Sequence, residues 1–303
     1  MSTRSRRSEH LSALRSLVVA AAAALAAAST GFGAGSGTQL TLADSGTTSS
    51  RLTAELSAQA LTAQGFTVTR ATLPSAAAAD GALTAGTIDV YATETATLLE
   101  RVLARPKLRD DVQLNAALTA QLAVRAQVPL AIDPADDAPQ VACRPSTVKA
   151  HKLTGLLKLG RAAGNLTYAA TAAHVVRGDG LAALHVRFRR VIVASGTKRF
   201  DLIARGKAHC VLSSGAEPRA ARLNLVALRD LTRRLAGTPQ HGLVVASQAY
   251  LATAPPTLTP TLDRVAALVT TTTLRTLIGQ VELDAQDPAV AAQTLLRANG
   301  ILP

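Results

Sequence analysis

Aromatic side chains are the scarcest class in this chain. It has no Trp, and its three Tyr and four Phe amount to 2% of 303 residues. Stacking successive bases needs aromatic platforms, and a sugar cleft built on Trp needs Trp, so both are excluded. Cysteine is nearly as rare, with only Cys143 and Cys210 present. Neither lies in a CxxC or beside a His at ligand spacing, which excludes zinc and dithiol redox motifs. In an exported chain two cysteines form one disulfide or stay as buried thiols, and the sequence leaves both open. Beyond the N-terminus no run of about 18 apolar residues occurs, so nothing else there is long enough to span a bilayer. The positive mean hydropathy comes mainly from Ala.

Reaction motifs are missing too. There is no GxSxG, no HExxH, no Walker loop, and no GxGxxG opening a helix after a strand. The close glycines of Gly31-Phe32-Gly33-Ala34-Gly35 fall in the N-terminal region discussed below. His174 and His209 have no partner at useful spacing, and adjacent Asp136 and Asp137 in a loop do not converge on one substrate. No enzyme, metal site or cofactor is expected.

What is present is an apolar fraction of 48%, enough for a sizeable core in one large domain or two ordinary ones. Charge is unevenly spread. Residues 144–207 carry thirteen basic side chains against Asp179 and Asp201, a net +11 within a total of +12. Such a block attracts nucleic acid or an anionic membrane face, or is a solvated basic surface. Its nearest approach to a nucleic-acid surface is Arg187-Phe188-Arg189-Arg190 with Lys198-Arg199-Phe200. One Phe per cluster is too little for base stacking, and no nucleic-acid partner is expected.

The N-terminus reads as an address. Arg4, Arg6, Arg7 and Arg15 precede an apolar run from Leu17 to Ala28, and small residues follow to Ser36. That order is an export signal, with residues 1–36 as signal and cleavage region. No Cys stands near the cleavage region for lipid attachment. The protein is expected on the periplasmic or extracellular side of the cell membrane.

Downstream, Gln39–Ala43 alternates like a strand and ends in a polar turn. Leu52, Leu56, Ala60 and Ala63 share a helical face stopped by Gly65. Residues 66–70 alternate again, 76–85 read as an Ala-rich helix closed by Gly86, and 88–91 as a strand. This βαβαβ series predicts a parallel sheet flanked by helices. The rhythm restarts after Pro129, with strands at 141–143, 191–194 and 209–212 and helices at 153–163 and 200–206. Residues 253–260, rich in Pro, read as a linker or loop, and Asp287-Pro288 opens a last helix closed by Asn299-Gly300. Two α/β units in series, with polar turns at strand ends, predict a ligand cleft between lobes.

Along the mature sequence these segments resemble solute-binding proteins of ABC importers for glycine betaine, choline and carnitine. Residues 54–61 and 65–68 are similar to that family's first helix and second strand. Ala82-Leu83-Thr84-Ala85-Gly86-Thr87-Ile88-Asp89-Val90-Tyr91 resembles its ALxxGxIDxY signature, and Arg177-Gly178-Asp179-Gly180-Leu181 its RxDGL. Ile132-Asp133-Pro134-Ala135 with Asp137 resembles the start of the second lobe, and 287–302 the last helix. The resemblance implies an α/β, type II periplasmic-binding-protein fold, with a parallel-type sheet in each lobe and a ligand cleft between. The lobes are expected at 37–134 with 241–303, and at 135–240.

It also implies where the ligand lies. The family commonly cages a quaternary ammonium with Tyr rings, a cation–π arrangement. Here Glu94 stands at a cage position, while Thr97 retains its family identity. Pro139, Leu212 and Thr238 stand where other aromatics are expected, Ser45-Gly46-Thr47 replaces a Lys-Asn-Phe turn, and Pro74-Ser75-Ala76 a Gly-Gly-Thr turn. The Arg equivalent to Arg177 grips a ligand carboxylate in relatives. The expected ligand residues are Ser45, Thr47, Ser75, Glu94, Thr97, Arg177 and Ser213. Arg177 and Thr97 anchor a carboxylate, and Glu94 faces an amine or hydroxyls. The expected protein is a monomer that captures a small polar molecule and passes it to a membrane permease. The alternatives are a betaine, choline or carnitine binder with a non-aromatic pocket, or a secreted interaction protein with a degenerate pocket.

Overall fold

A computed structural model describes residues 38–105, 107–178 and 180–303. The export-signal reading of residues 1–36, and Asp179 of the RxDGL motif, lie outside the described residues.

The first sheet begins as its alternation predicts. Strand β1 (Gln39–Asp44) leads to helix α1 (Thr48–Ala63), then β2 (Thr67–Thr72), α2 (Ala76–Thr84) and β3 (Val90–Glu94). β1 pairs in parallel with β2 and with β3. α1 starts where Thr47 accepts the Ser50 amide and Ser50 caps it in return. Its Ala54, Ala58 and Leu61 pack on the sheet, while Leu52, Leu56 and Ala60 pack on C-terminal helices. After β3 come a π-helical turn (Thr97–Val102), α3 (Asp111–Ala123) and β4 (Gln127–Ile132). Pro129, read from sequence as a break, lies inside β4. It is tolerated because β4 is an edge strand with a register shift opposite it.

The chain then crosses to the second sheet as β5 (Pro139–Cys143). α4 (Pro145–His151), α5 (Leu156–Ala162), β6 (Thr167–Ala170), α6 (Ala172–Val176) and β7 (Arg190–Val193) follow. α7 (Lys198–Ala204), β8 (Cys210–Ser214), α8 (Pro218–Arg222) and β9 (Val226–Ala227) complete this half. The return is β10 (Gly242–Ser247), then α9 (Gln248–Leu251), α10 (Leu258–Leu268), α11 (Thr271–Glu282) and α12 (Pro288–Ala298). The expected loop at 253–260 is corrected at its end: Leu258 to Pro260 form the first turn of α10. A proline there removes an N–H that has no helical acceptor in any case.

The sheet orders are β2-β1-β3-β10-β4 and β7-β6-β8-β5-β9. They share one plan. Three strands run parallel at one side, and the strand that crosses between sheets inserts fourth, antiparallel to its neighbours. Cys143 and Cys210 stand opposite each other across β5 and β8 and are joined as a disulfide.

The few aromatics are all spent on packing. Phe66, Tyr91, Tyr168, Phe188, Phe200 and Tyr250 are the aromatic side chains among the described residues, and every one is buried. Tyr168 and Phe188 stack with ring centroids 4.7 Å apart.

Candidate functional site

A cavity of about 290 Å³ opens where the strand ends of the two sheets face each other. From the first sheet's side Thr97, Glu100, Arg101 and Lys107 line it, all just after β3. From the second come Pro139, Thr171, His174, Arg177 and Leu212, with Thr238 and Gln240 from the return crossing. Arg101, Lys107 and Arg177 outnumber Glu100, whose Oε1 accepts the Thr238 hydroxyl at 2.5 Å. Among the described residues the wall is therefore cationic, and no aromatic lines it.

Local sequence fixes the second side. Thr171 caps α6 by accepting the His174 amide. His174 Nε2 lies 3.2 Å from the Tyr168 hydroxyl, so a buried tyrosine braces a cavity histidine from behind. Gly180, the glycine of the RxDGL motif, runs directly beneath. A Cβ there would lie 1.9 Å from the His174 carbonyl oxygen, which only glycine avoids.

Of the residues expected from sequence, the cavity gathers Thr97 and Arg177. Pro139, Leu212 and Thr238, the positions expected to be aromatic by resemblance, also line it. Ser45, Thr47, Ser75, Glu94 and Ser213 stand off its wall. Glu94 is buried and accepts the Thr47 hydroxyl at 2.5 Å. Burial pushes its carboxyl up, while hydrogen bonds from Thr47 and Thr97 and the Arg101 charge pull the other way. Thr47 is occupied as the cap of α1, and Ser75 as the exposed cap of α2. The Ser45 Oγ is buried without a partner, and Ser213 turns toward the Ser214 carbonyl.

Glu100, Arg101, Lys107, His174 and Gln240 were not legible as site residues. His174 carried a local signal, a tyrosine six residues earlier that ends up across the strand-to-helix turn. Arg101 and Lys107 were hidden in a segment whose overall charge is acidic.

Where the chain crosses between sheets, carboxylates stitch the two passing segments. Asp133 Oδ1 accepts the amides of Ala135 and Gly242 at 3.1 and 3.0 Å, while its Oδ2 is buried without a partner. Asp136 accepts the Gln240 amide and pairs with Arg233 at 3.0 Å. Asp137 accepts the Ala216 amide at 2.6 Å. Burial raises Asp133 to about 7 and Asp137 to about 6.

A family model described as the substrate binding domain of ABC-type glycine betaine transport systems, OpuAC, matches residues 38–298. No curated protein sequence matches significantly. Among solved structures, one of a glycine betaine/carnitine/choline ABC transporter superposes with a TM-score of 0.80 at 17% identity, covering 86% of this chain and 99% of that one. Apo YehZ from Escherichia coli gives 0.71 at 19% identity, covering 87% and 99%. Lactococcal OpuAC, closed on glycine betaine, gives 0.56 at 13% identity, covering 86% and 96%.

Proposed function

The chain belongs to the family of substrate-binding domains of ABC-type glycine betaine transport systems, and from that premise we propose that its ligand is a small solute held mainly by an anionic group, a carboxylate before all. Members of this family are transport proteins that bind solutes. The observation that carries the ligand class is the cleft wall, with Arg101, Lys107 and Arg177 and no aromatic ring among the described residues. A quaternary ammonium is held by ring faces; three cations repel it, and they attract a carboxylate.

In this reading Arg177 and Thr97 hold the anion. Glu94 and Thr47 act from behind, since Glu94 takes hydrogen bonds from both Thr47 and Thr97. Ser45, Ser75 and Ser213 contribute framework. Residues 37–134 with 241–303 move as one lobe and 135–240 as the other, and the ligand shifts the population toward the closed form. The protein is exported through residues 1–36, acts as a monomer, and hands its cargo to a membrane permease. Among the described residues no helix is long and apolar enough to cross a membrane.

A thermal-shift screen across glycine betaine, choline, amino acids, organic acids and polyamines tests this reading. Carboxylates are expected to stabilise the protein, and choline and polyamines to leave it unchanged. Calorimetry should then show Arg177→Ala weakened by on the order of 10–100-fold toward the best hit. Stabilisation by choline alone would restore a quaternary-ammonium ligand, and no hit at all would favour a secreted interaction protein.

A further inference from the structure

The second lobe carries another cavity, about 270 Å³, that shares no lining residue with the cleft. Its deeper lining is Leu156, Leu184 and Val186. At its mouth stand Leu157 and Leu231, 71% and 85% exposed. Exposed leucines are ordinary when scattered, but two on one cavity mark a contact surface. The backbone builds this pair. Gly155 bridges Arg229 in parallel, and the Leu156 amide donates to the Arg229 carbonyl at 3.0 Å. A Cβ on Gly155 would stand 2.8 Å from that carbonyl oxygen, so the close approach depends on glycine.

Cations ring the mouth. Lys158, Arg229 and Arg234 line the same cavity, and Lys158 also borders a second hollow with Lys152 and Arg161. None of these five makes an ion pair among the described residues. The acid among them, Asp230, has its oxygens turned inward to the amides of Arg234, Leu235 and Ala236 at 3.1, 2.8 and 3.1 Å. Exposed aliphatic tips inside a ring of unpaired cations complement a surface that is anionic outside and apolar beneath. Lys158, Lys152 and Arg161 belong to the strongly basic stretch 144–207, and Arg229 and Arg234 add to it from beyond that stretch.

We propose that this face of the second lobe rests on an anionic lipid bilayer, with Leu157 and Leu231 entering the headgroup boundary and Lys158, Arg229 and Arg234 meeting lipid phosphates. Such contact confines the protein to the plane of the membrane and raises its effective concentration there. It does not depend on which solute the cleft holds.

Co-sedimentation with vesicles tests it, comparing phosphatidylcholine alone with phosphatidylcholine–phosphatidylglycerol mixtures. The full chain is compared with Leu157→Ser/Leu231→Ser and with Lys158→Glu/Arg234→Glu. All four side chains are exposed, and unchanged thermal melts will show that the variants fold. Residues 1–36 are common to the three proteins, so differences report this face. Expected is binding to the anionic vesicles that weakens by roughly tenfold or more in both variants and is released by salt. Equal binding to neutral vesicles overturns the proposal. Wild-type sedimentation by both variants also overturns it and assigns the vesicle contact to another part of the chain. Stabilisation by free decanoate without vesicle binding overturns it in favour of a soluble amphiphile.

Discussion

The Tyr168 hydroxyl and His174 Nε2 stand 3.2 Å apart, linking the core of the second sheet to the wall of the cleft. Tyr168 is held in turn by Phe188 stacked against its ring. Tyr168→Phe keeps the stack and removes the hydroxyl contact to the His174 imidazole. The expected loss is about 1–2 kcal/mol by urea unfolding. An unchanged midpoint would mean that the contact contributes nothing to stability.

Gly180→Ala tests the motif glycine. The added methyl would meet the His174 carbonyl oxygen at 1.9 Å, so the backbone beneath the cleft must move. A loss of more than about 2 kcal/mol is expected, together with weakened solute binding. A variant with wild-type melting and affinity would show that the turn yields freely.

Stability should fall as pH rises from about 4 to about 7. Asp133 and Asp137, raised to about 7 and about 6 by burial, titrate near 3.9 when unfolded. Between those values the native state holds protons that the unfolded chain has released. Their contribution is therefore complete below about pH 4 and lost by about pH 7. Glu94 adds repulsion to both carboxyls, and the His241 charge opposes the shift at Asp133. Asp133→Asn, which imitates the protonated group, should gain roughly 5 °C in Tm near pH 8 and almost nothing near pH 4. Equal effects at both ends would show that Asp133 ionises normally.

The Cys143–Cys210 disulfide closes a loop of 67 residues inside one sheet. Loop-closure entropy of that length corresponds to on the order of 4 kcal/mol. The double variant Cys143→Ser/Cys210→Ser should lose about that much, and reduction of the wild type should match it. Two titratable thiols in the unfolded, unreduced protein would show that the bond is absent.

The first three strands and both flanking helices were legible because each buries one face, so the alternation and the i, i+4 spacing are written in order. The last helix was legible from its caps. The antiparallel insertion of β5 and β10 was not, since strand direction is settled between segments far apart in sequence. Pro129 and Pro260 misled for a shared reason: proline breaks an interior hydrogen bond, and both occupy places where none is made. The cysteines were readable as a pair only once β5 and β8 set them opposite. For the cleft, the positions of Pro139, Leu212 and Thr238 came through the family resemblance. Arg101 and Lys107 did not, because only folding separates them from the acidic residues around them.

Among the described residues β4 has a single neighbour, β10, whose residues come 111–120 positions later in the chain than those they pair with. During synthesis the first sheet thus remains open until the last quarter of the chain arrives. The second sheet, by contrast, is drawn from one uninterrupted stretch, residues 139–227, and is complete earlier. Emergence order therefore favours the second lobe as the first to fold, with β10 as the strand that locks the first lobe shut.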